Sequence, residues 1–366
     1  MASTLEDLSQ PGKLRGIARY FSLVHEGFAA ILPVQTAKGS ENALSRKAKW
    51  KLRACGISLL RSNMMPAGES FAMTQQFKPR RSALYMPGSN ARALEKAQTL
   101  DVDCLILDLE DAVALDSKEI ARQQIVSAVA SGGYGEREVV IRINGLDTPW
   151  GEADLIAAAN CGPDAILVPK VDGPADLEKV AHKLVLAGAP ASVKVWAMME
   201  TPLAMLNAAA IGACGRDPEV RLSCFVMGTN DLAKETRAKL NPGRSVMMPW
   251  LMTCVAAARA GGIDILDGVY NAFNDEEGFA AECAQGVEMG MDGKTLIHPK
   301  QIGPCHAAFS PSGEEVAWAR KINGLFQLPE NASKGAIQVD GKMVERLHAD
   351  MGLRTIAIAD AIAARI

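Results

Sequence analysis

From residue 81 onward the chain alternates short β-rich apolar runs with Ala-rich stretches whose apolar residues recur at helical spacing, and it does so eight times. The strand candidates are Ala83–Met86, Cys104–Leu109, Val139–Ile143, Ala165–Pro169, Val193–Met199, Ser223–Met227, Ile263–Gly268 and Thr295–His298. Segments such as SNARALEKAQTL, SKEIARQQIVSAVAS and PADLEKVAHKLVLAG fill the intervals. Eight consecutive β/α units predict an α/β fold of the closed (β/α)8 TIM-barrel type. The rival, an open doubly wound sheet binding a dinucleotide, lacks support because the first βα turn reads PGSNAR and not GxGxxG. The expected organisation is an N-terminal extension over residues 1–76, poorly ordered, a barrel with its C-terminal helix over 77–327, and a small lid segment over 328–366 with a Gly/Lys turn and a terminal helix.

Composition narrows the partners. The 366 residues are 48% hydrophobic and 22% charged with a formal net charge of −3, which argues against nucleic acid or an anionic membrane as the main partner. No apolar run approaches the roughly 18 residues of a membrane-spanning helix. Eight scattered cysteines show no CxxC and no zinc spacing, and read as buried thiols of a reducing, cytoplasmic compartment. Residues 1–72 carry ten Lys/Arg against five Asp/Glu, leaving −8 on the remainder. Such a basic leader is a targeting sequence, a disordered arm, or an artefact of where the reading frame was started; its acids fit a transit peptide poorly, which favours an extension not needed for catalysis. Met73 is then a natural start for the folded enzyme.

Catalytic groups of such barrels gather at the C-terminal ends of the strands, and polar residues fall there repeatedly. Strand two ends in Asp108-Leu109-Glu110-Asp111, strand three in Arg142-Ile143-Asn144 and strand four in Pro169-Lys170. Glu200 follows strand five, Asp231 follows strand six, Asp267 closes strand seven, and His298 closes strand eight. An unpaired carboxylate at the end of a buried strand costs several kcal/mol or takes up a proton. A hard divalent cation held by Glu200 and Asp231 resolves this, with water and substrate completing the shell, as suits Mg2+ with Mn2+ as the alternative ion. The competing reading of each acid is an N-cap or an ion pair. Arg142 offers a planar fork for a carboxylate, or else an ion pair to Asp108 or Asp111. Metal and arginine on one rim suit a 2-oxo or 2-hydroxy acid. The first βα turn opens a helix bearing Arg92 and Lys96, which reads as a phosphate site or as an ordinary solvated face.

The motifs RSALYMPGSN (81–90), LDLEDAV (107–113), VIRINGLDTPWGEADL (140–155), ILVPKV (166–171), METPLAM (199–205), MGTNDL (227–232), LDGVYNAFNDEEG (266–278) and GKTLIHPKQI (293–302) resemble, in order, those of the HpcH/HpaI aldolases, in the citrate lyase β-subunit-like and malyl-CoA lyase-like branch. The resemblance implies a (β/α)8 barrel whose lid completes a neighbour's site in a homotrimer or hexamer. It further implies Mg2+ held at Glu200 and Asp231, and an acid end gripped by Arg142. Arg81, Arg92 and Lys96 are expected at the substrate, the last two at coenzyme A phosphates, with Glu110 and Asp111 joining Arg142 in catalysis.

The reaction so implied is a reversible Claisen-type cleavage of a 3-hydroxyacyl-CoA of malyl, citramalyl or citryl type into an acyl-CoA and a 2-oxo acid. The alternatives are hydrolysis of the same thioester, and service as a citrate lyase β subunit on an acyl-carrier-protein thioester. Relatives carry their lid acid in a motif resembling G-K-M-(V/I)-D, where this chain reads Gly341-Lys342-Met343-Val344-Glu345. Glu345 is therefore a lid acid in an adjusted backbone, the mark of a branch with altered substrate or thioesterase outcome, or surface charge. Misplacing a catalytic carboxylate by about 1 Å costs roughly a hundredfold in rate.

Overall fold

In a computed structural model, which describes residues 78–365, eight strands pair in parallel in chain order and the last returns to the first. The extension expected over 1–76 lies outside the described residues. The elements run β1 (Ser82–Pro87), α1 (Ala91–Ala97), β2 (Cys104–Asp108), α2 (Lys118–Ser131), β3 (Glu138–Arg142), α3 (Gly151–Cys161), β4 (Ala165–Val168) and α4 (Pro174–Leu186). They continue through β5 (Lys194–Met199), α5 (Pro202–Ala213), β6 (Leu222–Met227), α6 (Thr229–Thr236), α7 (Met248–Gly261), β7 (Asp264–Asp267), α8 (Glu276–Glu288), β8 (Gly293–Leu296), α9 (Ile302–Phe309) and α10 (Gly313–Gln327). This is a (β/α)8 TIM barrel. Its strands are buried on both faces and so read as continuous apolar runs. Inward side chains of Ala83, Ile106, Val140, Leu167, Trp196, Cys224 and Leu266 fill the barrel, while the outward ones pack under the helices.

Strand eight begins two residues earlier than expected, because Gly293 and Lys294 already pair with Leu266 and Asp267. The tail also holds more than a turn and a helix. A hairpin of β9 (Ala336–Val339) and β10 (Lys342–Glu345) precedes α11 (Arg346–Ala363), with Asp340 and Gly341 at φ 49° and 79° forming the tight turn that an Asp-Gly pair favours. The hairpin packs Val339 and Val344 onto Ile322 and Phe326 of α10.

The N-terminal end of the barrel is sealed by charge. Arg80 makes a two-bond contact with Glu138 (2.7 Å each), reaches Asp264 at 3.0 Å, and lies 4.9 Å from the Trp196 ring centroid. Helix α11 is tied to the same end, since Arg354 bonds Asp264 (3.1 Å) and Asp292 (2.6 Å) and Arg365 bonds Asp103 (2.6 Å). Among the described residues no helix is long and apolar enough to cross a membrane.

Candidate active site

At the opposite, C-terminal end the strands open into a cavity of about 310 Å3, lined among others by Tyr85, Asp111, Arg142, Glu200, Asp231 and Asn271. Glu200 is 1% exposed and its Oε1 accepts the backbone N–H of Lys170 at 2.7 Å. To aim that N–H, Lys170 takes φ 50°, a left-handed conformation that non-glycine residues adopt at a cost. Gly228 lets the backbone pass close by, for a Cβ there would stand 2.4 Å from Glu200 Cβ and 2.6 Å from Oε2. The N-cap of α5 is Thr201, whose Oγ accepts from Ala204, so Glu200 is not spent on capping. Asp231 lies in the first turn of α6, where the helix dipole favours an anion. Neither acid is held in an ion pair among the described residues.

Burial pushes the Glu200 carboxyl up to about 7, the Lys170 N–H opposes this, and the nearby Asp231 adds to the rise. A buried acid whose ionisation is disfavoured by burial and by a second nearby carboxylate is the electrostatic situation that a small hard cation relieves. Among the described residues no group of three His, Cys, Asp or Glu side chains is placed to hold a metal. The donor set is thus two carboxylates, to be completed by water and ligand oxygens, which fits Mg2+.

Of the two sequence readings of Arg142, an open fork or an ion pair to Asp108 or Asp111, the structure shows the ion pair. Its Nε and Nη2 bond Asp108 Oδ1 and Oδ2 at 2.7 and 2.6 Å, because Asp108, fully buried on the neighbouring strand, requires a cation. Backbone N–H groups of Glu110 and Ala112 also donate to Asp108. What Arg142 presents to a ligand is the Nη1 edge, 3.0 Å from Glu110 and 3.4 Å from the exposed Asp111. Its guanidinium lies 4.8 Å from the Tyr85 ring centroid.

Burial, reinforced by Asp111, Glu200 and Asp108 and opposed by Arg142, drives Glu110 from an ordinary 4.5 up to about 8. Between those values the native chain holds a proton that the unfolded chain has lost, so stability falls as pH rises through this window. Without divalent metal the melting temperature should be lower at pH 8.5 than at pH 6. Differential scanning calorimetry on Glu110→Gln should show that difference reduced; an unchanged pH dependence would rule Glu110 out as its source.

Several expected site residues fall elsewhere. Arg81 lies just before β1, at the N-terminal end of the barrel, where it grips Asp103 with Nε and Nη2 (2.9 Å each) and donates to Ser310. A residue that precedes its strand cannot reach the catalytic rim, so Arg81 is structural. Asp267 also leaves the rim, since it is fully buried between Lys294 (2.8 Å) and Arg244 (2.7 Å). Arg92 and Lys96 are exposed on α1, near the rim but not on the cavity wall. Glu345 precedes α11, its backbone N–H donating to His348 Nδ1, and it does not line the cavity of its own chain.

Sequence reasoning missed Lys118. Its buried Nζ donates to the carbonyls of Leu109 (2.8 Å) and Glu110 (2.7 Å) and to Asn144 Oδ1 (2.8 Å). Asn144 in turn donates to Asp154 at 2.6 Å. This clamp fixes the turn that carries Glu110 and Asp111, and nothing in the local pattern of α2 distinguishes its lysine from a solvated one.

Residues 81–299 match the sequence profile described as HpcH/HpaI aldolase/citrate lyase. The chain belongs to this family. Among curated members of the HpcH/HpaI aldolase/citrate lyase family, the (3S)-malyl-CoA thioesterase of Cereibacter sphaeroides is 51% identical over 292 residues, covering 80% of this chain and 99% of that one. The citrate lyase subunit beta of Escherichia coli is 32% identical over 273 residues, 73% of this chain and 89% of its own. A solved structure of CitE from Mycobacterium tuberculosis in complex with magnesium, acetoacetate and coenzyme A superposes with a TM-score of 0.60 at 29% identity, covering 76% of this chain and 97% of that one.

Proposed function

We propose that this protein is a cytoplasmic, Mg2+-dependent enzyme that hydrolyses the thioester of a malyl-type 3-hydroxyacyl-CoA. The observation that carries this reading is the likeness, across nearly the whole of its relative, to a protein named (3S)-malyl-CoA thioesterase. It is supported by a cavity whose lining brings two acids suited to Mg2+ together with an arginine that turns its Nη1 edge toward Glu110 and Asp111. Bound Mg2+ would supply a Lewis acid for the oxygens of the hydroxy-acid end. Glu200 and Asp231 hold that ion, and Arg142 Nη1 orients the acid end from the adjacent strand. Arg92 and Lys96, exposed beyond the rim, suit coenzyme A phosphates. Because Glu345 is remote from its own cavity, the proton acceptor for the attacking water is the Glu345 that a second copy's lid brings, in a homotrimer or hexamer. A glutamate where the family motif carries aspartate sets the carboxylate farther out, which suits taking a proton from water.

The lyase reading of the same cavity is favoured by the citrate lyase and CitE relatives. Incubation with Mg2+ and a panel of malyl-, citramalyl- and citryl-CoA, followed by mass spectrometry, separates the two. Free CoA with the intact hydroxy acid is the expected product; an acyl-CoA with a 2-oxo acid would replace hydrolysis by cleavage. Neither product from any substrate would remove both readings.

A further inference from the structure

The floor of the cavity carries a hydroxyl whose bonding partner is sulfur. Tyr85 projects inward from β1 and Met198 from β5, strands on opposite sides of the closed barrel, and Tyr85 Oη donates to Met198 Sδ at 3.6 Å. A thioether is a weak acceptor, and buried tyrosine hydroxyls ordinarily find an oxygen. The Tyr85 ring needs no such partner to stay in place, since it is held against the Arg142 guanidinium and packs on the barrel interior. Burial, opposed by Arg142 and reinforced by the carboxylates of Asp108, Glu200 and Glu110, raises the phenol well above its ordinary 10. At working pH it is a neutral donor aimed into the cavity.

We infer that Tyr85 is a substrate-binding residue whose hydroxyl donates to the carboxylate at the deep end of the hydroxyacyl chain, an inference that rests on the function proposed above. The cavity is closed below by the packed side chains of the barrel interior and is far too small for a coenzyme A moiety. The coenzyme half must therefore leave through the mouth, so the short acid half is the part that reaches the floor. Beside Tyr85 Oη the lining includes the thioethers of Met198 and Met227, which offer an anion nothing, while the Arg142 guanidinium lies against the Tyr85 ring. A carboxylate there would exchange the Tyr85 hydroxyl's thioether contact for a charge-assisted hydrogen bond. That gain arises only when ligand is bound.

Tyr85→Phe deletes this one atom and keeps the ring against Arg142. The test is calorimetric titration of the full chain with oxalate, a small dicarboxylate standing for the acid end, at saturating Mg2+, beside a titration with Mg2+ alone. The variant should bind oxalate about tenfold more weakly or worse, with Mg2+ affinity and melting temperature unchanged, and KM for malyl-CoA should rise more than kcat falls. Equal oxalate affinity in the two proteins would overturn the assignment while leaving the proposed function standing. A parallel loss of Mg2+ affinity or of melting temperature would overturn it in favour of a structural role through Arg142. Failure of the unsubstituted protein to bind oxalate with Mg2+ would overturn the acid-binding reading of the cavity, and this assignment with it.

Discussion

Arg142→Lys should lower kcat/KM for malyl-CoA by about a thousandfold or more and also lower the melting temperature. A lysine carries the same charge, but as a single ammonium it cannot satisfy both oxygens of Asp108, reach Glu110 and the ligand, and sit over the Tyr85 ring at once. Leaving a fully buried carboxylate half-paired is the larger part of the stability loss, since breaking a buried pair costs about 3–5 kcal/mol and lysine restores some of that. Thermal melts and steady-state kinetics on the same preparation check both halves. Activity within tenfold of the parent would mean that Arg142 is an internal strut with no ligand to hold.

Glu200→Gln should behave in the opposite way on stability and alike on activity. The amide oxygen can still accept from Lys170, and the buried charge that repels Asp231 is gone, so the metal-free protein should melt at the same temperature or higher at pH 8. Mg2+ affinity, read by titration calorimetry, should fall at least a hundredfold, and turnover should fall with it at fixed Mg2+. Retention of Mg2+ binding by this variant would show that the pair Glu200 and Asp231 is not the metal site.

The barrel was legible because each strand is a short, largely apolar run with polar residues at or just beyond its C-terminal end, a pattern repeated eight times. Glu200 and Asp231 were legible for the same reason. The facing of individual side chains was not. A four-residue strand buried on both sides shows no alternation. Nothing local therefore shows that Asp267 points outward to Lys294 whereas Tyr85 points inward to the cavity. Arg81 was misplaced through its motif, although its position ahead of β1 already consigns it to the far end. The Asp108–Arg142 pair was among the sequence alternatives because both close neighbouring strands, whereas the bond of Lys118 to Asn144, 26 positions away, left no signal in the pattern.

The seal formed by Arg80, Glu138, Asp264 and Trp196 closes the far end of the barrel, so among the described residues the cavity opens at the C-terminal rim. Traffic through that rim has an order. With the acid half at the floor and the coenzyme half in the mouth, the free thiol departs before the hydroxy acid can follow. Run backwards, the smaller molecule has to enter first. Under the proposed hydrolysis, malate should compete with the incoming thioester for the empty enzyme, whereas coenzyme A should meet an enzyme that still holds its acid, so the two products should inhibit by different patterns.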